Sequence, residues 1–451
     1  MARDYSLGID IGTTKVAAVI ADPSRRSILE STSLDHNAGV VNRKVPGSSE
    51  QSVEALFTAV TKAVSQLSSH ARENVGAVGV TGQMHGVVLF NAEERGHSHL
   101  VTWQDARCNS GSFLSDLQSL TGERSLRSGF GVSTLVWCKH YEPEVLHEYR
   151  SASTIHGYLA TSMCGCQGGM DPSDAASFGL FDILSCRWKE DLIRRCGLDS
   201  QMLPQIVKAP RIFGRVGCDW ASRLGLPQGV PVIVPIGDNQ ASLYGSLSDP
   251  DTQIALTIGT GAQVSVVLAE NPRQLPEEGS SFEIRPYIDD RYIAVGASLG
   301  GGRTLAALST ALQDFLRGLG LNPLPDPGQI YTVLQSLAES RAETTLRADP
   351  SFAGERYNPD LRGSLTAVSF ENFTLGDIFA SLSRGIVDAL RQMLPAEMYC
   401  GRREVIGSGN AIRRSVLMQR YIEQLFGVRL VVTPGGETTC AGAAFLAGRV
   451  L

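Results

Sequence analysis

Tyr5-Ser6-Leu7-Gly8-Ile9-Asp10-Ile11-Gly12-Thr13-Thr14-Lys15-Val16-Ala17-Ala18-Val19-Ile20-Ala21 opens with two apolar runs, Tyr5 to Asp10 and Val16 to Ala21, on either side of Gly12-Thr13-Thr14. Runs of this length bounded by a small, polar turn read as two strands of a hairpin. A third strand is expected near Ile28 to Ser33. From Ser52 to Leu67 the apolar positions Val53, Leu56, Phe57, Val60, Val64 and Leu67 approach the spacing of one helix face, and Val75 to Thr81 then returns to strand.

The same grammar recurs in the second half. Ile9-Asp10-Ile11-Gly12-Thr13-Thr14 is echoed by Leu256-Thr257-Ile258-Gly259-Thr260-Gly261, and Val78-Gly79-Val80-Thr81-Gly82-Gln83 by Val405-Ile406-Gly407-Ser408-Gly409-Asn410. Two echoes in the same order indicate a duplicated unit of strand, turn, strand, helix, strand and turn. Pro227 to Pro235 reads as a Pro-punctuated strand leading to Gly237-Asp238-Asn239, which sets the expected domains at 1–240 and 241–451. Asn322 to Pro327 marks a loop inside the second. Amphipathic helices are expected over Leu375 to Leu394 and Ile412 to Phe426.

Composition bounds the rest. A chain of 451 residues with 43% apolar and 19% charged side chains has the make-up of a globular enzyme of two large domains. Forty Lys and Arg against 46 Asp and Glu give a net charge of −6, with no long basic run, which argues against nucleic acid or an anionic membrane surface as partner. The longest apolar stretches are short or broken, and a strand is read almost at once, so neither a membrane span nor a signal peptide is expected. Nine scattered cysteines without CxxC spacing read as reduced thiols in the cytosol, and a cysteine metal site is not expected.

Five groups of residues could carry chemistry. In Gly12-Thr13-Thr14-Lys15, backbone N–H groups and hydroxyls could cradle phosphate; the plainer reading is an ordinary turn. Asp10, flanked by Ile9 and Ile11, would be a costly carboxylate unless it met a cation, most simply Mg²⁺ through its water shell. Gly259-Thr260-Gly261 repeats the first turn, and the pairing of two such turns favours phosphate for both. Gly407-Ser408-Gly409-Asn410 opens toward a helix and would let a ribose or base lie against backbone, or would simply be a tight turn; Gly300-Gly301-Gly302 is open in the same way. Asp238 could orient an attacking hydroxyl and take its proton, although Asp in Gly-Asp-Asn also forms turns. Gln83-Met84-His85-Gly86 and Trp103-Gln104-Asp105, each after an apparent strand, combine amide, imidazole, carboxylate and aromatic groups suited to a sugar pocket.

Taken in order, Gly8 to Thr14, Gly82 to Gly86, Gly237 to Ala241, Ile258 to Gly261, Gly407 to Asn410 and Cys440-Ala441-Gly442-Ala443-Ala444 resemble the FGGY carbohydrate kinases over nearly the whole chain. The resemblance implies an α/β fold, a duplicated ribonuclease-H-like, actin/hexokinase-type two-domain architecture with an interdomain cleft. It also implies ATP and Mg²⁺ as cofactors. Gln83-Met84-His85-Gly86 is similar to the ketose-phosphorylating branches rather than the glycerol branch. Ser98 to Asp105 with Arg107-Cys108, Gly129-Phe130-Gly131, Thr154 to Tyr158 and Ser173 to Gly179 are similar to the branch that takes a seven-carbon ketose.

Carried over residue by residue, the resemblance makes Asp238 the general base and Asp10 the holder of Mg²⁺ through water, with Asp238 also beside the metal. Thr13, Thr14, Lys15, Gly259, Thr260, Gly261 and Gly301 would line the phosphates, and Gly409, Asn410 and Arg413 the adenosine end. Arg413 stands where glycerol-phosphorylating members tend to carry Asn. Gln83, Met84, His85, Trp103, Asp105, His156 and Asn239 would face the sugar. The expected partners are a small sugar and MgATP, in a monomer or homodimer. The rivals are a pentulose or broad ketose kinase and, in another class, a catalytically silent sugar sensor or scaffold.

Overall fold

The structure is a computed structural model describing residues 3–91 and 96–451. The chain forms two compact units: Met1–Ser246 with Pro286–Asp290 and Gly436–Leu451, and Leu247–Arg285 with Arg291–Gly435. The first unit therefore runs past the expected boundary at residue 240 and recovers the last segment of the chain, which the linear division had placed in the second domain.

In the first unit β1 (Tyr5–Ile11) and β2 (Lys15–Asp22) form the expected hairpin, and β3 (Ser27–Asp35) continues it antiparallel. Helix α1 (Val53–Ser65) starts where the Ser52 side chain accepts a hydrogen bond from Ala55 N, and β4 (Val75–Gly82) then inserts parallel to β1. After a long excursion that includes α2 (Ile155–Cys164) and α3 (Pro172–Phe178), β5 (Ile212–Arg215), β6 (Pro231–Ile233) and β7 (Ile236–Gly237) return to the sheet. Its order is β5-β6-β4-β1-β2-β3, with β7 also on β4. Helix α4 (Asp238–Ser246) begins at Asp238 itself.

The near-continuous apolar run of β2 reflects burial on both faces. Val16, Ala18 and Ile20 point with Leu7, Ile9 and Ile11 toward α1, which buries Val53, Leu56, Ala59, Val60, Ala63 and Val64 there. Ala17, Val19 and Ala21 point the other way.

The second unit repeats the plan. β8 (Gln253–Ile258) and β9 (Ala262–Val267) form a hairpin; β10 (Phe282–Pro286) and β11 (Tyr292–Ser298) extend it, and α5 (Gly302–Gly318) and α6 (Leu375–Met393) follow. β12 (Glu404–Ser408) then inserts parallel to β8, and after α7 (Asn410–Arg414) and α8 (Val416–Phe426) comes β13 (Arg429–Val432). The order is β10-β11-β9-β8-β12-β13. The helix expected over Ile412 to Phe426 is thus two. Ser415 leaves helical geometry at φ −123° and ψ 104°, and its side chain caps α8 by accepting from Met418 N.

The duplication holds at the level of register. Asp10 lies opposite Thr81 across β1 and β4, and Thr257 opposite Ser408 across β8 and β12, the positions that the two sequence echoes align. The chain ends on α9 (Thr438–Ala447), whose Cys440, Ala441, Ala444 and Phe445 cover the outward face of β2. Its small side chains permit unusually close approach: a Cβ at Gly79 of β4 would fall 2.1 Å from Ala443 O, and one at Gly442 only 1.8 Å from Ala241 O in α4. This is the physical content of Cys440-Ala441-Gly442-Ala443-Ala444.

Candidate active site

In the first unit the turn after β1 is held from several directions. Gly12 O accepts from Gln83 Nε2 at 3.3 Å and faces His36 Nε2 at 3.3 Å, and Thr13 O accepts from Gln51 Nε2 at 2.8 Å. Gln83 Nε2 also donates to Gln51 Oε1 at 2.9 Å, so one amide pair spans the turn. Trp103 Nε1 donates to Thr13 Oγ1 at 2.9 Å while its ring stays exposed. Thr14 O accepts from His36 N, and Lys15 Nζ pairs with Glu437 Oε1 at 2.7 Å.

Parallel pairing of β1 and β7 with β4 sets Asp10 and the Gly237-Asp238 step at neighbouring strand ends, since Asp10 and Ile236 both lie opposite Thr81. Asp10 Oδ1 is sealed from solvent without a hydrogen-bond partner. Burial, then the charges of Asp238 and Glu437, push the Asp10 carboxyl up from 3.8 to about 7, against the smaller opposing pull of His156 and Lys15. Asp238 and Glu437 thus both act on a carboxylate whose Oδ1 has no partner of its own, and a cation beside it would offset that charge.

His156, from the first turn of α2, is wholly buried with Nε2 2.9 Å from Asp174 Oδ2 and Nδ1 unpartnered. Burial alone would disfavour the imidazolium, but Asp174, and then Asp238 and Asp10, outweigh it and hold the His156 pKa above its ordinary value. His85 occupies φ +74°, with Nδ1 2.8 Å from Ser177 O and its ring stacked on Phe130 at 4.6 Å. Met84 is buried against Gly237, where a Cβ would fall 2.6 Å from Met84 Cε. Asn239, the second residue of α4, is partly exposed beside Asp238.

Asp105 is engaged differently from the expectation. Oδ1 accepts from Arg107 N and Nε, and Oδ2 from Arg107 Nη2 and Ser49 N, while Arg107 also reaches Glu50 Oε1 at 2.6 Å and stacks over Trp137. Both carboxylate oxygens are committed to this buried network. The residue braces the Trp103 loop.

In the second unit Gly259-Thr260-Gly261 and Gly300-Gly301-Gly302 interlock through backbone: Gly302 N donates to Gly259 O at 2.7 Å and Arg303 N to Thr260 O at 3.2 Å. A Cβ at Gly301 would lie 2.5 Å from Gly261 O. The adjacent strand end brings Gly409, at φ +94°, so close to Ile258 that a Cβ would fall 2.2 Å from its carbonyl oxygen. Asn410 Oδ1 accepts from Arg413 Nη2 at 2.8 Å, and Thr260, Gly261, Asn410 and Arg413 are exposed. The nucleotide-side candidates therefore line a side-chain-poor surface on which Gly302 N and Arg303 N are already committed to Gly259 O and Thr260 O, while Thr260, Gly261 and Asn410 face solvent.

Residues 5–245 match the N-terminal domain of the FGGY family of carbohydrate kinases. Sedoheptulokinase from Homo sapiens is 33% identical across 94% of this chain and 93% of its own length. The chain belongs to the FGGY family of carbohydrate kinases. Xylulose kinase from Escherichia coli (strain K12) is 26% identical over 98% of this FGGY kinase and 89% of its own chain. The crystal structure of xylulose kinase from Rhodospirillum rubrum superimposes with a TM-score of 0.83 at 20% identity, covering 98% of the chain and 89% of that structure, which establishes the shared two-domain α/β fold.

Several residues that frame the site of this FGGY kinase were not singled out from sequence. Gln51 and His36 come from ordinary-looking polar stretches, and only the fold carries them to the turn at Gly12. Glu437 had a signal in hindsight: it follows Gly435-Gly436, both at positive φ, and precedes the small-residue helix α9. Glu355, buried and accepting from Ser298 Oγ at 2.6 Å and Leu299 N at 3.1 Å, anchors the strand end before Gly300-Gly301-Gly302.

Proposed function

We propose that this sugar kinase transfers the γ-phosphoryl group of MgATP to the terminal hydroxyl of a ketose, sedoheptulose in the first instance, giving sedoheptulose 7-phosphate and ADP. The observation that carries the chemistry is the placing of Asp10 and Asp238 at the ends of β1 and β7, the two strands that flank β4, with Asp10 Oδ1 sealed and unpartnered. Asp238 orients the acceptor hydroxyl and takes its proton late in a loose transition state. Asp10 would hold the cation through water. Bound MgATP supplies the phosphoryl group and the positive charge that the acidic cluster favours.

Thr13, Thr14 and Lys15 are assigned to phosphate, as are Gly259, Thr260, Gly261 and Gly301. Gln83 works chiefly through the turn, by way of Gln51. His85, His156, Met84, Trp103 and Asn239 are assigned to the sugar. The choice of sedoheptulose rests on the likeness to the human protein of that name, and xylulose is the second candidate because a xylulose kinase matches over 98% of the chain. All nine cysteines are free, which fits a reducing compartment such as the cytosol.

A coupled ADP-release assay over sedoheptulose, xylulose, ribulose, gluconate and glycerol tests the reading, with phosphorus NMR of the product to locate the phosphate. Sedoheptulose should show the highest kcat/KM. Asp238→Asn should lower kcat by about two to four orders of magnitude, the range for losing a general base, with ADP affinity retained. Wild-type turnover in that variant removes Asp238 from the role, and a higher kcat/KM on xylulose replaces the substrate.

A further inference from the structure

Helix α3, Pro172–Phe178, carries three buried polar side chains, Ser173, Asp174 and Ser177, each 1% or 2% exposed. Burying polar groups in so short a helix is costly unless each finds a partner. Here each partner lies on a different segment of the candidate site. Ser173 Oγ accepts from Gly237 N at 3.3 Å, one residue before Asp238. Asp174 Oδ2 takes His156 Nε2 at 2.9 Å and Thr154 Oγ1 at 2.6 Å. Ser177 accepts from His85 N on its hydroxyl at 3.2 Å and faces His85 Nδ1 with its carbonyl at 2.8 Å.

The helix is itself pinned. Asp171 Oδ1 accepts from Ser173 N at 2.8 Å and Oδ2 from Ala209 N at 2.8 Å, while Ala175 and Phe178 sink into the core beside it. His85 sits at a positive φ that a non-glycine residue keeps only when its surroundings impose it, and Ser177 grips both its backbone and its ring. His156 has its Nε2 bound on one side and an unpartnered, wholly buried Nδ1 on the other, close enough to Gly82 that a Cβ there would lie 3.2 Å away. The partner on one ring nitrogen fixes what the other offers.

We propose that α3 is a positioning platform for ketose specificity: Asp174 and Ser177 set the two imidazoles that read the sugar, and Ser173 ties the same platform to the Asp238 strand end. These are positioning residues acting through others. The inference rests on the assignment of His85 and His156 to the sugar made above.

Steady-state kinetics on the full-length protein with sedoheptulose and xylulose as acceptors decides it. His85→Ala and His156→Ala should each raise ketose KM roughly tenfold, the scale of losing a hydrogen bond to a desolvated group. If neither changes KM, the sugar-site assignment falls and the platform with it. With those effects in place, Asp174→Asn, which weakens the hold on His156, and Ser177→Ala, which releases the His85 backbone while leaving the carbonyl that faces Nδ1, should raise ketose KM by about three- to tenfold and alter the sedoheptulose-to-xylulose ratio of kcat/KM, with ATP KM within about twofold of wild type. Adding Asp174→Asn to His156→Ala should then cost less than about twofold further, because the two act as one. Full additivity, or parallel losses for both ketoses and ATP, would show a helix that only supports the fold and would overturn the proposal alone. Should Asp174→Asn not fold, the Ser177→Ala and His85→Ala pair carries the same decision.

Discussion

At Asp10 the fold carries a carboxylate whose charge its surroundings oppose. Its carboxyl has an ordinary value of 3.8 and a folded value of about 7, raised first by burial and then by Asp238 and Glu437. Between those limits the native chain keeps a proton that the unfolded chain has released, so the stability this group contributes is full below about pH 4 and is lost as pH rises through about 7. Without divalent cation, Asp10→Asn should therefore raise Tm more at about pH 8 than at about pH 5. Adding Mg²⁺ should narrow the difference at about pH 8, where the ionised wild type gains its counter-charge. Scanning fluorimetry across that range, with chelator and with Mg²⁺, checks both; a Tm difference independent of pH would contradict the assignment. Asp105 is the counter-case, a carboxylate close in sequence to the sugar candidates whose oxygens are consumed by Arg107 and Ser49.

Among the elements, turns and helix starts carry the burden. The strand end at Ser408-Gly409-Asn410 works only because residue 409 has no side chain: its φ is +94° and a Cβ would meet Ile258 O at 2.2 Å. Gly409→Ala must therefore displace β8 or its turn, at a cost of about 2 kcal/mol in stability, and should weaken ADP binding roughly tenfold or more while leaving ketose binding intact. Thermal melts and titration calorimetry with ADP and ketose separately would show the split. The packing of α9 against α4 makes a similar demand. Gly442→Val puts branched carbon where Ala241 O already stands at 1.8 Å from the ideal Cβ and should destabilise the first unit by about 1–3 kcal/mol, measurable in urea.

At the scale of the whole molecule, Gly436–Leu451 returns to the first unit after the chain has built the second. Its Cys440, Ala441, Ala444 and Phe445 cover Ala17, Val19 and Ala21, and Leu446 and Ala447 pack with Ile233, Val234 and Ile236. Removing residues 436–451 strips one face of the first sheet. That truncation should unfold residues 3–246 while 247–435 stays protease-resistant, and limited proteolysis with mass spectrometry would map the cleavages. Protection of both regions would show that α9 is dispensable to the first sheet.

The hairpins, the duplicated order of elements and the family can be read from the residues alone, because strand alternation, glycine-and-hydroxyl turns and ordered short motifs are local properties. Asp10, Gln83, His85, Asp238 and Gly409 stand out as candidates for the same reason. It takes the folded chain to bring Gln51 and His36 against the first turn, to set Glu437 near Asp10 from the far end of the chain, and to turn Asp105 toward Arg107. The same holds for the grip of α3 on His85 and His156. Except for Asp105 with Arg107, those pairings join residues far apart in the chain, and what a carboxylate or amide does is set by the partners that desolvation leaves within about 3 Å of it, which no local pattern records.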